Sequence, residues 1–427
     1  METNFSFFDQ PILNSPYSIP SKHWELDDDG QPTGVLLESR RKPKFTTAIP
    51  KPKRLQATKA NLQQEMVFAD SEDISTVDQQ YELSALIGEV RSLVSLWRGL
   101  PKSEWRVTPE TARLLEHWRK DEWSGIRPFF CQVEALETVI WLQEVAPVLK
   151  TDGTKRVLQN LKYSNENANP DLFRIALKLA TGSGKTTVMA MIIAWQTINA
   201  VRRPSTKSFT KGFLIVSPGI TIRDRLRVLQ PNDPDSYFLT RDIVPPEYLD
   251  DIKKARIVIT NYHAFKRREI LELSKANRSL LQGSGEELST IESEGQMIQR
   301  VLPELMGMKN IIVLNDEAHH CYRAKPRKEE DDLSDIPTED RADFKQEAKK
   351  NNEAARLWIS GLESIQDYLG ISKVYDLSAT PFYLRGAGYA EGTLFPWTIS
   401  DFSLMDAIEC GIVKLPRVPI ADNIPSA

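Results

Sequence analysis

A short glycine-rich segment at residues 181–187 constrains the fold of this chain more than any other feature. It reads Thr-Gly-Ser-Gly-Lys-Thr-Thr, follows an apolar run at 175–180 and precedes an apolar stretch at 188–200. A strand, a glycine loop and a helix N-terminus in this order form a nest of backbone amides that binds phosphate. The loop residues therefore predict a nucleotide site, and its candidate members are Thr181, Gly182, Ser183, Gly184, Lys185, Thr186 and Thr187.

Each residue type in this loop suits a different part of a nucleoside triphosphate. The two glycines let backbone amides approach the β-phosphate, and Lys185 reaches the β- and γ-phosphates. The hydroxyl of Thr186 is a hard oxygen ligand, which Mg²⁺ prefers. We therefore expect ATP and Mg²⁺ as cofactors. The alternative, a glycine turn without a ligand, does not account for the strand and helix on either side.

Short apolar runs alternate with helical stretches beyond residue 127, which is typical of a parallel sheet covered by helices. Each candidate strand is apolar on both faces, as the central strands of such a sheet must be. The chain is therefore predicted to have an α/β fold with helices on both faces of the sheet. The candidate strands lie at 175–180, 212–217, 256–261, 310–316 and 373–378.

The pattern divides the chain into four regions. Residues 1–80 mix prolines, charge clusters and scattered apolar positions, and we expect an irregular arm that packs on the rest or stays mobile. A helical preface follows at 81–126, where Thr108 and Pro109 mark a helix start. The nucleotide-binding domain occupies 127–400, with surface insertions at 266–300 and 326–356. Residues 401–427 begin a linker.

Composition limits the cellular setting. No apolar run is long enough to span a membrane, and no secretory signal is recognisable at the amino terminus, so we expect no membrane partner and a cytoplasmic location. The net charge of −4 gives no global attraction to nucleic acid, so any such binding must use a local groove. Cys131, Cys321 and Cys410 are too far apart for a disulfide framework or a metal knuckle, and we interpret them as structural.

Two adjacent carboxylates, Asp316 and Glu317, end an apolar strand. In a parallel sheet they would lie beside the phosphate loop, because the carboxyl ends of the strands meet at one edge. Asp316 is then expected to hold Mg²⁺, partly through water, and Glu317 to orient and deprotonate the attacking water. His319, His320 and Cys321 follow, but three consecutive residues cannot easily converge on one tetrahedral metal ion.

Two more segments complete a resemblance to superfamily 2 helicases. Ser378-Ala379-Thr380-Pro381 follows an apolar strand, and Arg127-Pro128-Phe129-Phe130-Cys131-Gln132 opens a helix. With the glycine loop and the segment 316–319, these resemble the helicase motifs in order and spacing. The resemblance implies a RecA-like P-loop sheet, in which Gln132 reads adenine and His319, Ser378, Ala379 and Thr380 couple the ATP state to the motor. Gln132 alone would equally fit a solvent-exposed helical glutamine.

The segments after the second and third strands resemble the helicase motifs that touch the nucleic-acid backbone. Hydroxyls, amides and helix N-termini at the carboxyl edge of a sheet suit phosphate contacts that do not read sequence. The structural alternative is that these are ordinary turn and capping residues. The candidate DNA contacts are Ser217, Pro218, Gly219, Thr221, Thr260, Asn261 and Tyr262.

Within superfamily 2, the segments 315–322 and 377–383 resemble the Res subunits of type III restriction enzymes. This implies an ATP-dependent DNA translocase or helicase that follows the DNA backbone and works with a methyltransferase subunit. It also implies a second motor domain and a nuclease domain, which we expect to be missing from residues 1–427, so turnover by this chain alone is in question. An ATP-dependent RNA helicase, and a nucleotide- and DNA-binding module without turnover, remain open alternatives.

Overall fold

A six-stranded parallel sheet forms the centre of the computed structural model, which describes residues 7–27, 30–43, 76–123, 125–219, 224–269, 291–325, 341–384, 386–389 and 392–415. The strand order is β5-β4-β6-β7-β3-β8, and neighbours pair in parallel. The strands are β3 (Arg174–Leu179), β4 (Gly212–Ser217), β5 (Arg256–Asn261), β6 (Ile311–Asp316), β7 (Ile371–Ser378) and β8 (Thr398–Phe402). The predicted α/β RecA-like parallel sheet is confirmed.

Alternate residues of the strands belong to two separate hydrophobic cores, because successive side chains of a strand point to opposite faces of the sheet. Phe213 and Ile215 of β4 belong to the core on one face, and Leu214 and Val216 to the core on the other. Both cores are closed by helices, so the inner strands β4 and β6 are apolar over most of their length. The first face is covered by α1 (Thr76–Arg98), α2 (Pro109–Arg119), α3 (Phe130–Ile140), α4 (Ala146–Leu149), α5 (Asp152–Ala168) and α6 (Lys185–Arg202).

Later helices complete the two layers. The short helices α7 (Tyr237–Thr240) and α8 (Leu249–Ile252) join the first face, whereas α9 (Glu294–Val301) and α10 (Arg341–Leu369) cover the second. Helix α11 (Leu404–Glu409) follows β8. Side chains fix several helix starts, because their oxygens accept the otherwise unpaired amides of the first turn. Thr108 caps α2 at 3.1 Å, as predicted, and Ser293 caps α9. No helix of the described segments is long and apolar enough to cross a membrane.

The amino-terminal arm is more ordered than its composition indicated. Strands β1 (His23–Leu26) and β2 (Pro32–Leu37) pair as an antiparallel hairpin, which we did not predict. The arm is tied to α11, because the amides of Leu13 and Asn14 both donate to the carbonyl of Glu409. The Glu409 carboxylate accepts the amide of Trp24 at 3.0 Å. Residues 44–75 of the predicted arm lie outside the described residues.

Three of the predicted boundaries, at residues 300, 356 and 400, fall inside a helix or a strand. Residue 400 lies inside β8, so the domain does not end there. The apolar pattern did not predict this strand, because its sequence is Thr-Ile-Ser-Asp-Phe. Its Asp401 is buried and paired with Lys178 at 2.6 Å. The second insertion was placed at 326–356, but α10 already begins at residue 341. Within the first insertion, residues 291–300 include most of α9, whereas 270–290 and 326–340 lie outside the described residues.

Candidate nucleotide and nucleic-acid site

The strand order brings the predicted nucleotide residues to one edge of the sheet. Strands β6, β7 and β3 are consecutive neighbours. Their carboxyl ends lead into the acidic pair, the segment 378–381 and the glycine loop 181–187. Strands β4 and β5 continue the same edge and lead into the candidate DNA contacts. The ATP candidates therefore occupy one half of the edge and the nucleic-acid candidates the other half.

The glycine loop has a backbone shape that depends on its glycines. Gly182 and Gly184 have φ angles of 85° and 86°, in the left-handed region that side chains disfavour. Ser183 is buried and its hydroxyl donates to the carbonyl of Ala180 at 2.7 Å, which closes the turn. Helix α6 begins at Lys185, so its first amides point into the loop. Thr181 is exposed, Thr186 is half-buried and Thr187 is buried.

Gln132 lies on this loop and not in solvent. Its amide nitrogen donates to the carbonyl of Ser183 at 2.7 Å, and its amide oxygen accepts the backbone N–H of Phe129 at 3.1 Å. Only 3% of the residue is exposed. A Cβ on Gly184 would collide with the Gln132 amide, so loop and glutamine are in close contact. The alternative interpretation of Gln132, as a solvent-exposed helical glutamine, is therefore wrong.

The adjacent carboxylates have different surroundings. Burial raises the pKa of Asp316 to about 6, and the negative charge of Glu317 adds to this rise. Glu317 adopts a left-handed φ of 49° and forms an ion pair with the Lys185 ammonium at 2.8 Å. This pair joins the glycine loop directly to the acidic segment. The carboxylate of Asp316 and the hydroxyl of Thr186 are oxygen donors of the kind that hold Mg²⁺ together with substrate phosphates.

His319 connects the acidic segment to the segment after β7. Its Nδ1 lies 3.0 Å from the hydroxyl of Ser378, and that hydroxyl accepts the backbone N–H of Thr380 at 3.1 Å. Burial lowers the pKa of His319 to about 4, and nearby His320 lowers it further, so the imidazole is neutral at neutral pH. The Ser378 hydroxyl can then donate to Nδ1. Ala379 is half-buried and Thr380 is exposed.

The candidate DNA contacts divide into buried and accessible groups. Ser217 is fully buried and its hydroxyl donates to the carbonyl of Gly219, so this side chain shapes the turn and does not face solvent. Pro218, Gly219, Thr260, Asn261 and Tyr262 are half-buried, and Thr221 lies outside the described residues. The hydroxyl of Thr260 donates to the carbonyl of Asn261 at 3.4 Å. The Ser217 hydroxyl thus has the contact of an ordinary turn residue, and the DNA contacts of this group stay a prediction.

Sequence reasoning missed one residue beside the glycine loop. Arg241 donates to the Thr187 hydroxyl at 3.2 Å, and its guanidinium lies 3.9 Å from the ring centroid of Tyr237. This arginine follows α7, far from the loop in sequence and outside any recognisable motif. No sequence signal pointed to it, because only the packing of α7 against α6 brings it there.

The three cysteines are buried and free, in line with a structural role. Burial raises the pKa of Cys321 and of Cys410 to about 12 and that of Cys131 still further, so all three remain thiols at neutral pH. Within the described ranges, no group of three His, Cys, Asp or Glu side chains is arranged to hold a metal ion by itself.

Comparison with known families agrees with this geometry. The sequence model of the family described as type III restriction enzyme, res subunit, matches residues 126–382, which is more than half of the chain. The matched range contains Gln132, the glycine loop, the acidic pair and Ser378. No curated protein and no solved structure matches the chain. The chain therefore belongs to the type III restriction enzyme res subunit family, a family of ATP-dependent helicase-like motors.

Proposed function

We propose that this chain is the ATP-binding part of a motor that hydrolyses ATP to move along DNA in a type III restriction-like system. The observation that carries the proposal is the ion pair between Lys185 and Glu317 at 2.8 Å, which joins the phosphate loop to the acidic segment. The strand order supports it, because the loops after β4 and β5 lie along the same edge. An ATP site and a nucleic-acid track then share one rigid sheet.

Different residues of the site have different roles in phosphoryl transfer. The loop amides and Lys185 bind the phosphates, and Gln132 holds the loop through the carbonyl of Ser183. When Lys185 turns to the γ-phosphate, its ion pair with Glu317 opens, and the freed carboxylate orients water and accepts its proton. Thr186 and Asp316 would hold Mg²⁺, which neutralises the charge that develops on the phosphate oxygens.

His319 and Ser378 provide the proposed link between ATP state and movement. Their 3.0 Å contact joins the turns after β6 and β7, so a shift of the acidic segment during hydrolysis moves the segment 378–380 as well. Ala379 and Thr380 belong to that segment, and Thr380 is exposed where a further domain or a nucleic acid can contact it. A methyltransferase subunit, a second motor domain and a nuclease domain are partners that the family resemblance suggests.

The phosphate site is tested by replacing Lys185 with alanine. The variant should lose the rise in thermal midpoint that MgATP gives the wild type, because a ligand stabilises only the state that binds it. Lys155→Ala is the matched control, since Lys155 is an exposed lysine of α5, and it should keep the full rise. An unchanged rise in Lys185→Ala would contradict the assignment.

DNA and RNA are separated by measuring ATP hydrolysis with each polymer. A DNA motor is stimulated by duplex DNA of any sequence, and its DNA affinity falls with the logarithm of salt concentration because backbone contacts release counterions. Stimulation by RNA alone would favour the RNA helicase alternative. Nucleotide and DNA binding without turnover would favour a binding module.

A further inference from the structure

An aromatic stack lies beside the nucleic-acid half of the sheet edge. The turn Tyr262–Phe265 follows β5, and the ring of Tyr262 lies parallel to the indole of Trp358 with centroids 5.4 Å apart and an angle of 8°. His263 is exposed and packs against the same tyrosine at 4.1 Å. Trp358 belongs to α10 and is fully buried. An outer surface that includes a candidate DNA contact therefore rests on a buried tryptophan.

The buried side of Trp358 is bonded to the strand that carries the acidic pair. Its indole N–H donates to the side-chain oxygen of Asn315 at 3.2 Å. The amide nitrogen of Asn315 donates to the carboxylate of Asp376 at 2.8 Å. An indole only donates and a carboxylate only accepts, so the Asn315 amide can have one orientation here. Asn315 immediately precedes Asp316.

The same network holds the far end of the acidic turn. Arg174 donates to Asp376 at 2.8 Å and to the carbonyl of Cys321 at 2.7 Å. Asn315 and Cys321 thus anchor the two ends of the segment 316–320, which contains Asp316, Glu317 and His319. Arg174, Asn315 and Asp376 are fully buried, where such charged hydrogen bonds are hard to replace with water.

Helix α10 and the turn after β5 are in unusually close contact. Gly361 lies one helical turn beyond Trp358, and a Cβ at this position would collide with the ring of Phe265. A glycine inside a helix costs stability relative to alanine, so its presence here reflects the approach of Phe265. The turn Tyr262–Phe265 is therefore packed directly against α10.

We propose that Trp358 is a positioning residue that transmits nucleic-acid binding at the turn Tyr262–Phe265 to the acidic turn of the ATP site. The inference rests on the proposed function and adds the physical connection between its two sites. A nucleic-acid backbone that presses on Tyr262 shifts the indole stacked against it. The indole N–H then changes its bond to Asn315, which lies at the base of Asp316. Glu317, paired with Lys185, responds to the altered turn.

The test is a thermodynamic linkage measurement on the whole chain. The affinity for a non-hydrolysable ATP analogue with Mg²⁺ is measured with and without a mixed-sequence DNA duplex, and the ratio of the two dissociation constants is the coupling. We expect a wild-type ratio of about five or more, in the range usual for coupled sites. Trp358→Phe keeps an aromatic ring against Tyr262 but removes the N–H donor, so its ratio should fall close to one.

Trp397→Phe is the matched control. It removes an indole N–H that donates to Asp376 of the same network at 2.8 Å, but Trp397 lies beside β8, away from the turn after β5. A purely structural role predicts equal effects of the two variants, whereas the proposal predicts that Trp397→Phe keeps the wild-type ratio. Gly361→Ala provides a second variant with an intact network, and displacement of Phe265 should lower its ratio as well.

The possible outcomes separate a failure of this inference from a failure of the proposed function. Equal ratios in wild type and Trp358→Phe overturn the inference and leave the proposed function standing. A wild-type ratio of one, with normal nucleotide binding, also overturns it, because there is then no coupling to transmit. A wild type that binds neither ligand removes the proposed function and the inference together.

Discussion

Two neighbouring carboxylates at the end of β6 acquire different chemistry from their surroundings. Burial raises the pKa of Asp316 to about 6, whereas the charge of Glu317 is balanced by Lys185 at 2.8 Å. The left-handed backbone at Glu317 turns its side chain toward the glycine loop. Sequence alone placed the two acids together and predicted different roles, and the burial of Asp316 and the ion pair of Glu317 give them different surroundings.

Glu317→Gln should separate binding from turnover. Glutamine cannot accept the proton of the attacking water, so hydrolysis should fall by about a hundredfold or more. Nucleotide affinity should stay equal or increase, because Lys185 no longer has to leave an ion pair to reach the phosphate. Single-turnover hydrolysis and equilibrium binding measure the two effects. Glu116→Gln, which removes an exposed pair with Lys102, should change neither; a parallel loss of binding in Glu317→Gln would contradict the assigned role.

Among the elements, the glycine loop is the one whose shape allows least substitution. Gly184→Ala forces a side chain into a φ of 86° and against Gln132. The positive φ alone costs about 1–2 kcal/mol of folding free energy. Nucleotide affinity should fall at least tenfold, because the collision breaks the Gln132 bond that orients Ser183. Isothermal titration and urea unfolding are the measurements.

Gly88→Ala is the control for this substitution. Gly88 lies within α1 with open space around its Cβ position, so alanine should stabilise the helix by up to about 1 kcal/mol. Nucleotide affinity should be unchanged in this variant. Wild-type affinity in Gly184→Ala would show that the loop does not need its left-handed glycine.

The elements also show which parts of the fold are predictable from sequence. The inner strands β4 and β6 were predicted to within one residue of their observed bounds, because burial on both faces demands continuous apolar runs. The edge strand β5 was also predicted at its observed bounds. Strand β8 was missed because Asp401 is buried against Lys178, a tertiary pairing that no local pattern reveals. The same holds for Trp358, whose partners Tyr262 and Asn315 are distant in sequence.

At the scale of the whole molecule, Glu409 fastens the amino-terminal arm to the end of the domain. Its carboxylate accepts from Trp24 and from Arg41, and its carbonyl accepts from Leu13 and Asn14. Burial is the largest influence and raises the pKa of Glu409 from 4.5 to about 7, although Arg41 lowers it. Burial thus favours the protonated form of this side chain, whereas Arg41 and the Trp24 amide of the arm favour the carboxylate.

The stability of the chain should therefore depend on pH through Glu409. Between pH 4.5 and about 7 the folded state binds this proton and the unfolded state has lost it, so the free energy of unfolding falls as pH rises. The contribution is at most about 3 kcal/mol. Glu409→Gln cannot titrate, so its urea unfolding curves should lose this part of the pH dependence. Parallel curves for wild type and variant would contradict the raised pKa.

The position of β3 in the sheet has a consequence for synthesis on the ribosome. Strand β3, which leads into the glycine loop, pairs with β7 and β8, and both are translated long after it. At the usual ~5–20 residues per second, roughly ten to forty seconds pass before β7 follows β3 out of the ribosome. During that interval the nascent β3 is a largely apolar strand that lacks its pairing partners. Strands of this kind are prone to aggregate. We expect the glycine loop to bind ATP only after β7 and β8 have emerged and paired with β3.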